Sequence, residues 1–60
     1  MRTWLIKARG KETQKSVAEK VGISQNFYSC IESGQRCPSP KVARRIGVVL
    51  KVDWTKFYEQ

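Results

Sequence analysis

Sixty residues, 40% of them hydrophobic and 28% charged, are enough for one small domain; such a chain buries only about 60% of the surface it exposes when unfolded, so its core must be compact. Twelve Lys and Arg against five Asp and Glu give a net charge of +7, a field that on so small a body favours a polyanionic partner. The longest apolar run, Ile46 to Leu50 with Gly47 inside it, is too short for a membrane span, and Cys30 and Cys37 without any histidine cannot supply a four-ligand zinc site.

Taken in order, Thr3 to about Gly10 reads as a first helix, with Trp4, Leu5 and Ala8 as its apolar stripe and Ile6 beside it. Arg2, Lys7 and Arg9 are expected to face water or a partner. Its start, MRTWLIKARGK, lacks the apolar core and cleavage site of a signal peptide. A cytoplasmic location with reduced thiols is therefore expected, and a Cys30–Cys37 disulfide is not. After the short Gly10-Lys11-Glu12 connection, Thr13 is the natural N-cap of a second helix beginning at Gln14. Val17, Ala18 and Val21 form its buried stripe, and Gly22 ends it through a left-handed backbone. Ser24 caps a third helix, Gln25 to Ser33, closed by Gly34. Two helices of about two turns, joined by a tight turn containing glycine, make a helix-turn-helix pattern. The small Ala18 lets the two cross closely.

Gln35 to Ser39 reads as a loop. Ser39-Pro40 opens a fourth helix, with Ser as cap and Pro at the first helical position. It runs to Lys51, with Val42, Ala43, Ile46, Val49 and Leu50 inward and Arg44, Arg45 and Lys51 outward. Gly47 inside this helix implies a close approach by another helix. Asp53 caps a last helical turn, Trp54 to Phe57, whose two end aromatics form a lid on the core or part of an interface. Five short helices with no strand pattern predict a compact all-α bundle.

These residues together resemble the small Cro and phage-repressor-like helix-turn-helix family, the XRE-like transcriptional regulators. The resemblance is carried by Thr13-Gln14, the run Val17 to Ser24, Ile31 to Arg36, Pro38-Ser39-Pro40 and the late Leu50 to Trp54. It implies a lambda-repressor-like fold and sequence-specific binding of double-stranded DNA, usually as a dimer on a palindromic operator. One departure stands out: the connection before Thr13-Gln14 is about two residues shorter than usual in the family, with Glu12 where an apolar residue is expected.

On a helix advancing 100° per residue, Tyr28, Ile31 and Glu32 face inward. Asn26, Ser29, Cys30 and Ser33 then face outward, with Phe27 on one flank and Gln25 at the tip, next to the capping Ser24. A helix of this kind enters the major groove tip first. There the amides of Gln25 and Asn26 suit adenine, Ser29 can donate or accept, and Phe27 can press on a thymine methyl. Cys30 is expected to be accessible on the groove face, and Cys37 beside Pro38 to be buried and inert. Gln14, at the start of the helix that crosses the DNA backbone, is expected to bind phosphate. The resemblance further implies that Gln14 braces Gln25. Gln35 and Arg36 are placed beside the other strand's backbone, with Lys41 and Arg44 as further candidates.

An inward Glu32 requires a cation, for which Arg9 is the first candidate and Lys7 the alternative. The function expected is transcriptional regulation, most simply repression, without cofactor, metal or catalysis. The alternative is an antitoxin or adaptor of the same fold docking through Trp54, Phe57 and Tyr58. A homodimer would have to use the region Val49–Phe57.

Overall fold

A computed structural model of the chain describes residues 2–58. Four α-helices follow one another: α1, Thr3–Arg9; α2, Gln14–Val21; α3, Gln25–Ser33; and α4, Pro40–Leu50. The fifth expected helix is a 3-10 segment, Trp54–Tyr58. Among the described residues there is no strand, and no helix is long and apolar enough to cross a membrane.

Local chemistry sets these boundaries. The hydroxyls of Thr13, Ser24 and Ser39 accept from the backbone N–H groups of Ser16, Phe27 and Val42, and so cap α2, α3 and α4. Gly22 and Gly34, with φ of 89° and 88°, end α2 and α3 in the left-handed region. α4 stops one residue earlier than expected, because Lys51 itself takes the left-handed conformation and donates its N–H to the Gly47 carbonyl. At the next turn Thr55 bonds the Asp53 carboxylate through its hydroxyl (2.6 Å) and its N–H (3.0 Å). Those two bonds hold the Asp53 carboxyl below its ordinary range, so this cap is intact above the usual Asp pKa and is lost as acid protonates the group.

The core is one cluster: Leu5 from α1, Val17, Ala18 and Val21 from α2, Tyr28 and Ile31 from α3, Ala43, Ile46 and Leu50 from α4, and Phe57. Phe57 packs edge-on to Trp4 at 5.0 Å between ring centres. It is therefore a lid on the core, the first of the two roles expected of it, and its burial leaves little of its ring for the second, a docking or dimer contact. Trp54 stays half-buried beneath the Arg44 guanidinium, 5.0 Å from its ring centre.

The approach expected at Gly47 is made by the chain just beyond α4. A β-carbon there would sit 2.9 Å from the Val52 carbonyl oxygen and 3.2 Å from Trp54 Cβ. Gly47→Ala should thus lose more to overlap than the roughly 1 kcal/mol it gains in helix propensity. A net destabilisation of about 1–2 kcal/mol is expected in thermal denaturation. A raised melting temperature would mean that the turn yields freely.

Candidate nucleic-acid interface

α3 is anchored on its inner side by Tyr28, Ile31 and Glu32, all buried. At its N-terminal end Gln25 and Asn26 are exposed, as is the capping Ser24. Ser29, Cys30 and Ser33 are half-buried along the helix. Phe27 is more committed than its flank position implied: it is half-buried and packs against the core. The Ser33 hydroxyl donates to the Cys30 carbonyl at 3.0 Å and accepts from Gln35 N–H at 3.4 Å, finishing the helix. Gln35 and Arg36 are exposed in the following loop, and Lys41 and Arg44 are exposed on the first two turns of α4. The expectation for Cys37 fails: Pro38 is buried and Cys37 is exposed, its Sγ 3.9 Å from the Phe57 carbonyl.

Glu32 organises the inner side. Arg9 Nε donates to its Oε2 at 2.7 Å and Arg9 Nη2 to its Oε1 at 3.5 Å, so Arg9 and not Lys7 is the partner. The side chain of Glu32 is 4% exposed and that of Arg9 19%. Arg9 Nη1 also donates to the Glu12 carbonyl at 2.6 Å, and Glu12 N–H returns to the Arg9 carbonyl at 3.2 Å. These bonds close the shortened connection as a tight turn. Glu12, in the place of an apolar residue, turns outward to pair with Lys20.

Gln14 is placed differently from what the resemblance implies. Its Nε2 donates to Glu32 Oε1 at 3.0 Å, and it does not brace Gln25. A buried carboxylate has more lone pairs than Arg9 fills, and it takes the nearest further donor. Gln14 nonetheless stands at the start of α2, where the first backbone N–H groups have no acceptor within the helix and suit an anion.

Arg2 was missed by sequence reasoning as a structural residue. Its Nη1 donates to the carbonyls of Ile31 (2.6 Å) and Arg36 (3.2 Å), and its backbone N–H to that of Glu32 (2.7 Å). No local signal marks such a contact, since its partners lie some thirty residues away.

The Tyr28 hydroxyl is enclosed in the core without a partner of hydrogen-bond geometry. Burial first, and then the neighbouring Glu32 carboxylate, push the phenol well above its ordinary range. A buried hydroxyl without a partner costs about 1–3 kcal/mol, so Tyr28→Phe should leave the melting temperature unchanged or raise it. It should also abolish the fall in stability that the protein shows as pH climbs past about 10, where the unfolded phenol ionises and the folded one resists. A clear destabilisation at neutral pH would place the hydroxyl on Glu32.

The helix-turn-helix family model matches residues 5–57, nearly the whole chain. Over 61 aligned positions the chain is 44% identical to the uncharacterized HTH-type transcriptional regulator YqaF of Bacillus subtilis (strain 168), a match covering 98% of this chain and 80% of that protein. No solved structure matches it. With the capped α2–turn–α3 unit and the exposed amides at the tip of α3, these likenesses settle the family: the chain belongs to the XRE-type helix-turn-helix DNA-binding transcriptional regulators.

Proposed function

We propose that the chain reads a specific duplex site by laying α3 in the major groove and represses transcription by occluding a promoter. The observation that carries this reading is the placement of Gln25 and Asn26, exposed at the N-terminus of a helix whose other side is fixed in the core. Nine residues make a helix about 13 Å long, comparable to the ~12 Å width of the groove. Gln25 and Asn26 contact base edges, with Ser29, Cys30 and the outer edge of Phe27 farther along the groove face. Ser24 and Ser33 lie at the two ends of the helix, near the backbone. Gln14 binds phosphate through the open N–H groups of its helix turn, and Gln35 and Arg36 hold the backbone of the other strand. The protein acts in the cytoplasm, without cofactor or catalysis.

Pairing of two copies would bring two α3 helices to a palindromic site. The surface for it is α4 and the residues after it, from Val49 to Trp54, extended by Val48, which is 80% exposed. The same apolar surface, with Tyr58, favours the second reading, a protein-docking module of antitoxin or adaptor type. Selection of bound sequences from a random duplex library, followed by affinity measurements across salt, distinguishes the two. A recovered consensus whose affinity falls steeply with salt is expected, because several phosphate contacts release counterions. No enrichment together with salt-independent, negligible binding would leave the docking reading.

A further inference from the structure

We infer that Arg2 is a positioning residue for the DNA-backbone contact made by the loop after α3. The inference rests on the assignment of Arg36 to phosphate proposed above. Arg36 is exposed, but its own peptide groups are held on both sides. Its N–H donates to the Cys30 carbonyl at 3.2 Å, in α3, and its carbonyl accepts from Arg2 Nη1 at 3.2 Å. The same Arg2 nitrogen donates to the Ile31 carbonyl at 2.6 Å, and the Arg2 backbone N–H to the Glu32 carbonyl at 2.7 Å. One residue from before α1 thus donates to two of the last carbonyls of α3, that of Ile31 shared with the Gly34 N–H, and ties the loop to them.

The guanidinium is itself positioned. It lies 5.5 Å from the centre of the Phe57 ring, within cation–π reach, and Phe57 is buried against Trp4. A planar fork held by a fixed ring and a helix end orders its partners in a way that a mobile cation does not. Ordering Arg36 before DNA arrives removes an entropy loss that binding would otherwise incur. Arg2 therefore acts on DNA through Arg36, without touching it.

The test compares Arg2→Gln, Arg2→Lys, Arg36→Ala and the double change Arg2→Gln with Arg36→Ala. Amide hydrogen exchange at Arg36 and affinity for a random duplex across salt are measured for each. Arg2→Gln is expected to speed exchange at Arg36 about tenfold while the amides of Val17 and Val21 keep their protection. It should also flatten the slope of log affinity against log salt by about one, the change for one lost phosphate contact. Arg36→Ala should flatten it equally, and the double change no further than either single one. Should Arg2→Gln fail to fold, Arg2→Lys is judged by the same two readouts.

Arg2→Lys keeps the charge but not the planar fork, so it should recover neither Arg36 protection nor slope; recovery of either in Arg2→Lys overturns the latch, since a mobile cation would then suffice. If Arg36→Ala flattens the slope and Arg2→Gln changes neither slope nor exchange, the inference is wrong and the phosphate assignment stands. If Arg36→Ala leaves the slope unchanged, the phosphate assignment falls and the inference with it. Additive losses in the double variant would mean that Arg2 works independently of Arg36, which also overturns the proposal.

Discussion

Glu32→Ala is expected to destabilise the domain by about 3 kcal/mol, because it strips a half-buried cation of its buried partner. The carboxylate receives two donors from Arg9 and one from Gln14, which belong to α1 and α2. Its loss therefore loosens three helices at once. Arg9 is the less buried partner, so water can solvate part of its charge, and this keeps the expected loss at the low end of the range for buried pairs. In a domain of this size the melting temperature should still fall by more than about 10 °C. Arg9→Met combined with Glu32→Leu should recover part of that loss, since it removes both charges and leaves apolar bulk. Melting curves of Arg9→Met, Glu32→Leu and the double decide the matter: additive losses would show that the two residues do not act as a pair.

Gln25→Ala and Asn26→Ala are each expected to cost about 1–3 kcal/mol on the selected site and little on random DNA. Both residues are exposed in the chain without DNA. Truncating either one therefore leaves the core untouched, and the melting temperature should stay within a few degrees. Specific and random affinities for each variant, measured at one salt concentration, separate base reading from general attraction. Equal losses on both kinds of duplex would demote these amides to backbone contacts. Unchanged affinity for the selected site would take α3 out of the groove.

What was legible in the sequence was local. The caps at Thr13, Ser24 and Ser39 and the stops at Gly22 and Gly34 each depend on neighbours within four residues, so residue type and spacing suffice. The inward side of α3 follows from helical periodicity, and with it the need of Glu32 for a cation. What was not legible depends on distances across the fold. Arg2 reads as a solvent-facing cation because nothing near it in sequence names Ile31 or Arg36 as partners. Gln14 bonds Glu32 because tertiary packing brings an unfilled carboxylate within reach. The lid role of Phe57 was one of two readings of its position, but its pairing with Trp4 is fixed only by the path of the chain after α4. Cys37 lies at the surface although its neighbour Pro38 is buried, a difference within one loop that periodicity cannot carry. The placement of Gln25 and Asn26 at an exposed helix tip was legible, whereas the bases they meet belong to a partner the chain does not encode.

α3 is the element expected to meet DNA, and an NMR titration of the protein with the selected duplex tests this most directly. The largest amide shifts are predicted at Gln25 and Asn26, with further shifts at Gln14, Ser29, Gln35 and Arg36. The segment Trp54–Tyr58 should change little. Shifts confined to Val48, Trp54 and Tyr58, with the amides of α3 unmoved, would contradict the account.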